Sequence, residues 1–261
     1  MSAPRPMVIG GMPRSGTTLL ARLCRSHPDI SITVELKSYA LLGATYGQYA
    51  RAMLERLRYV RGSWPIHGHR GRNALIRFGR NAAFVADHLV RLRRHTDGVI
   101  TARGLAASTS YGAPIAADKY PDYVFSLEAF ANEPDLLGVV IHRDPRDVAS
   151  SFLGKVRTTW KRHEWAHGID AAEIARRWVE SVEISERVEG WVHVIRYEDL
   201  VLEPGRELRR LADWLGIDAS GFKDEGVRDT SIGKYARGLT AEELAAVTDI
   251  AGPTMERHGY R

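Results

Sequence analysis

The sequence predicts an α/β fold: a doubly wound, mainly parallel sheet with helices on both faces and one helical cap insertion. Three observations lead there. Apolar runs of strand length alternate with patterns of helical period. A glycine-bearing loop joins the first of those runs to the first amphipathic helix. The bulk composition is that of a globular chain, with 261 residues, 44% hydrophobic and 26% charged.

The first strand is read at Met7-Val8-Ile9-Gly10. It is too short for a membrane span or a signal-peptide core, and no apolar run of about eighteen residues occurs elsewhere, so a cytoplasmic protein is expected. Cys24, the single cysteine, excludes an internal disulfide and a cysteine-rich zinc site. It shares one helical face with Leu19, Leu20 and Leu23. Ile30 to Val34 is a weaker strand; Ile115 to Ala117, Val139 to His142 and Val192 to Ile195 complete the set. Residues 39 to 114 read differently, rich in arginine and aromatics, with helical spacing at Arg51 to Val60 and Asn73 to Arg94 and no strand. Trp160 to Glu189 reads as helical, with Ile174, Trp178, Val182 and Ser185 on one stripe. Leu208, Leu211, Ala212 and Leu215 form a last apolar face after Pro204, a helix-start residue. No repeat or linker divides the chain, so residues 1 to 261 are taken as one domain with 39 to 114 as its insertion.

The charge is mildly basic: 37 Lys and Arg against 32 Asp and Glu, a net +5. Only six basic residues are lysine, at positions 37, 119, 155, 161, 223 and 234; the other 31 are arginine. Composition bias accounts for such a skew, and so does an anionic ligand, since guanidinium groups bind phosphate bidentately. The arginines are dispersed, with no basic stripe interleaved with aromatics, which argues against nucleic-acid binding.

The loop after the first strand is Gly11-Met12-Pro13-Arg14-Ser15-Gly16-Thr17-Thr18. Strand, glycine loop and helix bring backbone N–H groups and a positive helix end to one point, an anion cradle. The spacing is that of a P-loop, which makes the expected fold P-loop-like and three-layered. Thr17, however, stands where nucleoside triphosphate chemistry requires lysine. A nucleotide or small-molecule kinase is therefore disfavoured.

These residues resemble the sulfotransferases that use 3'-phosphoadenosine 5'-phosphosulfate (PAPS), in the form of their bacterial and tyrosylprotein branches. Pro13, Arg14, Ser15, Gly16, Thr17 and Thr18 look like the family's 5'-phosphosulfate loop. Ile141-His142-Arg143-Asp144-Pro145-Arg146-Asp147-Val148-Ala149-Ser150-Ser151 looks like its 3'-phosphate motif, which the resemblance assigns to Arg143 and Ser151. Asp144 and Asp147 suit the opening of a helix. Val194-Ile195-Arg196-Tyr197-Glu198-Asp199-Leu200 is similar to a family segment whose tyrosine, here Tyr197, contacts adenine. Ser231-Ile232-Gly233-Lys234-Tyr235 resembles the segment that closes over the cofactor, making Lys234 a further contact.

The resemblance implies sulfuryl transfer from PAPS, leaving 3'-phosphoadenosine 5'-phosphate (PAP). The acceptor group is a hydroxyl, with an amine as the alternative, on a small molecule, carbohydrate, lipid or peptide. No metal is required and no nucleic-acid partner is implied. Lys119, in Ala117-Asp118-Lys119-Tyr120-Pro121, matches the lysine that stabilises the leaving phosphate, with Arg14 sharing the task. One branch places a histidine base two residues after that lysine, where this chain has Pro121. The other uses a glutamate after a His-Pro-Asp turn; His27-Pro28-Asp29 puts Glu35 at that distance. Lys37 would orient Glu35 or bind an acidic substrate, and His67 and His69 are reserve bases. The insertion and the Trp160 region would form the acceptor pocket, with Tyr46, Tyr49, Trp64, Tyr111 and Trp160 lining it or filling a core. A kinase and a non-catalytic nucleotide- or nucleic-acid-binding protein are the competing readings. Oligomeric state is not legible.

Overall fold

The first strand, β1 (Arg5–Gly10), lies at the centre of a five-stranded parallel sheet of order β2-β3-β1-β4-β5. It pairs with β3 (Ile115–Lys119) on one side and β4 (Leu137–His142) on the other. β2 (Ile30–Val34) and β5 (Val192–Arg196) form the edges. The computed structural model describes residues 3–59 and 74–260.

Residue alternation along the strands decides which helices cover which face. Met7, Ile9, Val139 and Ile141 point toward α1 (Thr17–Ser26), α8 (Tyr197–Leu202) and α9 (Pro204–Leu215), burying Leu20, Leu23, Leu208, Leu211 and Leu215. Val8, on the opposite face, packs toward α2 (Tyr46–Tyr59), α3 (Ala74–Arg93) and α4 (Ala102–Thr109). Val140 packs there too, against Ile184 of α7 (Ala171–Arg187) and Leu127 of α5 (Leu127–Phe130). A further layer joins α6 (Pro145–Arg157), α7 and α11 (Ala241–Arg257) around Trp178. The short α10 (Tyr235–Gly238) precedes α11.

Local signals explain the boundaries. Pro145 and Pro204 open α6 and α9 where a missing N–H costs nothing. Gly216, at φ 67°, ends α9. A reciprocal capping box between Thr240 and Glu243 opens α11.

Two expectations need revision. The segment from Trp160 is not helical throughout: α7 begins at Ala171, where Asp170 accepts from the Glu173 N–H at 2.8 Å. Gly168, at φ 84°, separates it from a short 3-10 turn at Glu164–Ala166. The apolar stripe identified a helix, whereas the cap that limits it is carried by polar residues. The third strand also runs beyond Ala117, because Asp118 and Lys119 are buried in the sheet. Among the described residues, no helix is long and apolar enough to cross a membrane.

Candidate active site

All five strands are parallel, so their carboxyl ends form one edge, the place where open α/β sheets carry their sites. From that edge emerge the glycine loop after β1, Glu35 after β2, Lys119 at the end of β3, Arg143 after β4 and Tyr197 after β5.

The glycine loop is held tightly. A Cβ at Gly11, whose φ is 145°, would stand 2.4 Å from the Ile141 carbonyl oxygen. Ser15 N–H donates to the Met12 carbonyl at 3.0 Å, turning the chain into α1. Gly16 caps that helix at φ 104°, with no side-chain cap and no acidic residue in the first turn. The opening amides of α1 are thus left to an anion. Pro13 is half-buried, Thr17 buried and Thr18 exposed, while the buried Ser15 hydroxyl makes no hydrogen bond within the protein.

Arg143 is 6% exposed and already engaged. One Nη donates to the Arg14 carbonyl at 3.1 Å, the other donates to the Ser231 carbonyl, and the Asp147 carboxylate lies 3.3 Å away. Only Nε is unpartnered. The guanidinium lies over the Tyr197 ring, 4.7 Å from its centroid, and that ring in turn packs against Gly16. Arg14, at φ 80°, points its Nε to the Ser151 hydroxyl at 3.0 Å. The structure therefore groups Arg14 with Arg143 and Ser151, where the sequence had it share the work of Lys119. Partial desolvation and the Arg143 charge lower the Arg14 pKa, a repulsion that a bound anion would relieve.

Lys234 is exposed at the start of α10. Its segment is clamped by Asp147, which accepts from the Gly233 N–H at 2.9 Å and the Tyr235 N–H at 3.0 Å. Sequence reading took Asp144 and Asp147 as helix-opening residues. Asp144 does cap α6, accepting from the Arg146 N–H, whereas Asp147 ties a distant segment to Arg143.

The second cluster is an ion pair. Lys119 Nζ donates to Glu35 Oε1 at 2.9 Å; the lysine side chain is 1% exposed and the glutamate 53%. Backbone pairing sets this distance, since the Glu35 N–H bonds the Lys119 carbonyl at 2.6 Å. Lys119 is also in register with Ile9, two residues before the glycine loop begins. Lys37 does not orient Glu35: its Nζ rests over the Tyr120 ring at 4.2 Å.

The aromatics expected at the acceptor side brace the helices. Tyr49 is fully buried, Tyr46 donates to the Leu89 carbonyl, and Tyr111 donates to Asp87 at 2.9 Å. Trp160 packs against Phe152 at 5.3 Å. His67, His69 and Trp64 lie outside the described residues. Among the described residues, no group of three or more His, Cys, Asp or Glu could hold a metal ion.

The principal residue that sequence reading passed over is Asp118. Its carboxylate accepts from Thr33 Oγ1, the Leu36 and Ser38 N–H groups and the Tyr123 hydroxyl. The available signal was weaker: an aspartate directly after the apolar run Ile115 to Ala117, next to the lysine singled out.

Nodulation protein NoeE of Sinorhizobium fredii (strain NBRC 101917 / NGR234) is 25% identical over 305 residues, covering 97% of this chain and 65% of that protein. The chain thus spans just under two thirds of that relative's length. Among solved structures, the sulfotransferase domain from the curacin biosynthetic pathway aligns with a TM-score of 0.53 at 16% identity, covering 96% of this chain and 99% of that one. Sulfotransferase STF9 from Mycobacterium avium aligns at 0.51 with 17% identity, covering 98% and 77%. At those identities the structures establish a shared fold. The sulfotransferase family model matches residues 6–221, from the first strand through the last strand and α9, and the chain belongs to the sulfotransferase family.

Proposed function

We propose that the enzyme transfers the sulfuryl group of PAPS to a hydroxyl acceptor, with Glu35 as general base and Lys119 stabilising the leaving phosphate. The observation that carries this reading is the Lys119–Glu35 contact of 2.9 Å, one strand from the glycine loop. In-line transfer needs a base on the acceptor side and a cation on the leaving-group side; the contact brings both to one point, and the pair separates to admit the sulfuryl group between them.

The residues present fit a donor with two anionic ends. Toward the 5' end, the open amides of α1 and the unpartnered Ser15 hydroxyl face one point. Toward the 3' end, Arg143 Nε is buried without a partner, and Arg14 and Ser151 lie alongside. When bound, PAPS supplies an activated sulfuryl group whose departure leaves PAP. The chain's own tasks are then positional. The loop amides and Arg143 fix the two ends, Lys119 supplies positive charge, and Glu35 takes the acceptor proton as it leaves the Lys119 ammonium. Because Lys119 is buried, its charge acts with little solvent screening. Residues 39 to 114 are assigned to the acceptor side, since α2 and α3 pack around the segment that carries Glu35.

The test uses radiolabelled PAPS with a panel of phenolic, carbohydrate and tyrosyl-peptide acceptors. Glu35→Gln should nearly abolish transfer while PAP binding, measured by calorimetry, is retained. Full activity would remove Glu35 as the base.

A further inference from the structure

We propose that Asp118 is a positioning residue for the reaction, holding the 35–38 segment so that Glu35 meets Lys119; this rests on the role just assigned to Glu35. The segment has an unfavourable backbone. Glu35 and Lys37 lie at φ 61° and 58°, in the left-handed region that L residues other than glycine adopt reluctantly, with buried Leu36 between them. Such a conformation persists only where the surroundings impose it.

Asp118 imposes it from beneath. It is 1% exposed, and each of its oxygens takes one side-chain and one segment donor. Oδ1 accepts from the Thr33 hydroxyl at 2.8 Å and the Leu36 N–H at 3.3 Å; Oδ2 accepts from the Tyr123 hydroxyl at 2.6 Å and the Ser38 N–H at 3.1 Å. The two segment amides flank Lys37 and follow directly on Glu35. The insertion completes the support. Arg56 donates to the Leu36 carbonyl, and the Ser38 hydroxyl accepts from Tyr49 at 2.9 Å, itself 2.7 Å from His88 Nε2.

An amide cannot replace this carboxylate. In Asp118→Asn, one oxygen becomes NH2. The Thr33 and Tyr123 hydroxyls can turn to accept from it, but a backbone N–H cannot. Either amide orientation therefore leaves the Leu36 or the Ser38 N–H facing another donor. The segment loosens while the strand and the glycine loop stay in place.

The expected result is a fall in kcat of about 10- to 100-fold for Asp118→Asn, with PAP affinity by calorimetry unchanged. A double-mutant cycle separates positioning from general destabilisation. In a Glu35→Gln background, Asp118→Asn should lower the residual rate no further, because its effect passes through Glu35. Additive losses, or a kcat equal to that of the unmodified enzyme, would overturn the inference. Should Asp118→Asn fail to fold, Thr33→Val removes one donor at nearly constant volume. It should then lower kcat several-fold with PAP affinity unchanged, and an unchanged kcat would count against the proposal. The two readings fail separately: an active Glu35→Gln refutes the assignment of the base, whereas an inactive Glu35→Gln beside a fully active Asp118→Asn refutes only the positioning role.

Discussion

Gly16→Ala is a small change whose cost can be worked out from the contacts around it. Gly16 lies at φ 104°, where an L residue is strained by about 1–2 kcal/mol. Its added Cβ would stand 2.4 Å and 2.9 Å from two carbons of the Tyr197 ring and 3.2 Å from Ile141 Cδ1. The ring has little freedom to retreat, being 7% exposed and covered by the Arg143 guanidinium at 4.7 Å. Overpacking of this kind costs roughly 1–3 kcal/mol, so a total destabilisation of about 2–5 kcal/mol is expected. Because displacing Tyr197 displaces Arg143, PAP affinity should fall together with stability. Urea unfolding and PAP calorimetry measure the two effects. Gly154→Ala is the control: it is an exposed position in α6 with no atom within 4 Å of the added Cβ. It should gain about 0.5–1 kcal/mol from helix propensity. A Gly16→Ala protein as stable as its parent, or one that is less stable yet binds PAP equally well, would refute the coupling through Tyr197.

Other outcomes follow from the same contacts. Burial pushes the His142 pKa down to about 4, so the folded protein resists a proton that the unfolded chain accepts near 6.5. That stability is full above pH 6.5 and is lost as pH falls toward 4; between pH 6.5 and about 5 the loss should be on the order of 1–2 kcal/mol. The stability difference between the parent and His142→Phe, followed across that window, reads this residue alone, and a pH-independent difference would contradict it. Asp147→Ala removes the acceptor of two backbone amides and leaves the buried Arg143 without its carboxylate. A loss of about 3–5 kcal/mol is expected, with hydrogen exchange at Gly233 and Tyr235 accelerating more than in the central strands.

Periodicity reveals which residues seek apolar surroundings, and so the strands, the faces of α1 and α9 and the parallel sheet were legible in the sequence. The glycine loop was legible as well, since it lies within one strand-loop-helix unit, whereas Arg143 and Ser151 were picked out by resemblance to a known motif. What escaped was long-range. Nothing local links Asp147 to Gly233, or says that Arg143 spends its two Nη groups on backbone carbonyls; those contacts exist only once β4, the glycine loop and the segment around Ser231 are side by side. Arg14 shows the same limit. Its place in the loop is fixed by sequence, but its direction, toward Ser151, is set by a backbone φ of 80°. Asp118 was hidden for another reason: a carboxylate inside a sheet looks unfavourable until its four donors, three from residues 33–38 and one from Tyr123, are assembled around it.

In the proposed mechanism Lys119 acts on the transition state rather than in holding the donor. The most direct test is Lys119→Met, which keeps the buried side-chain volume and removes the charge, followed by single-turnover transfer from PAPS alongside PAP calorimetry. A transfer rate lowered by about 10²- to 10³-fold, with PAP affinity nearly unchanged, is the predicted result. Equal losses in rate and affinity, or no loss in rate, would contradict the account.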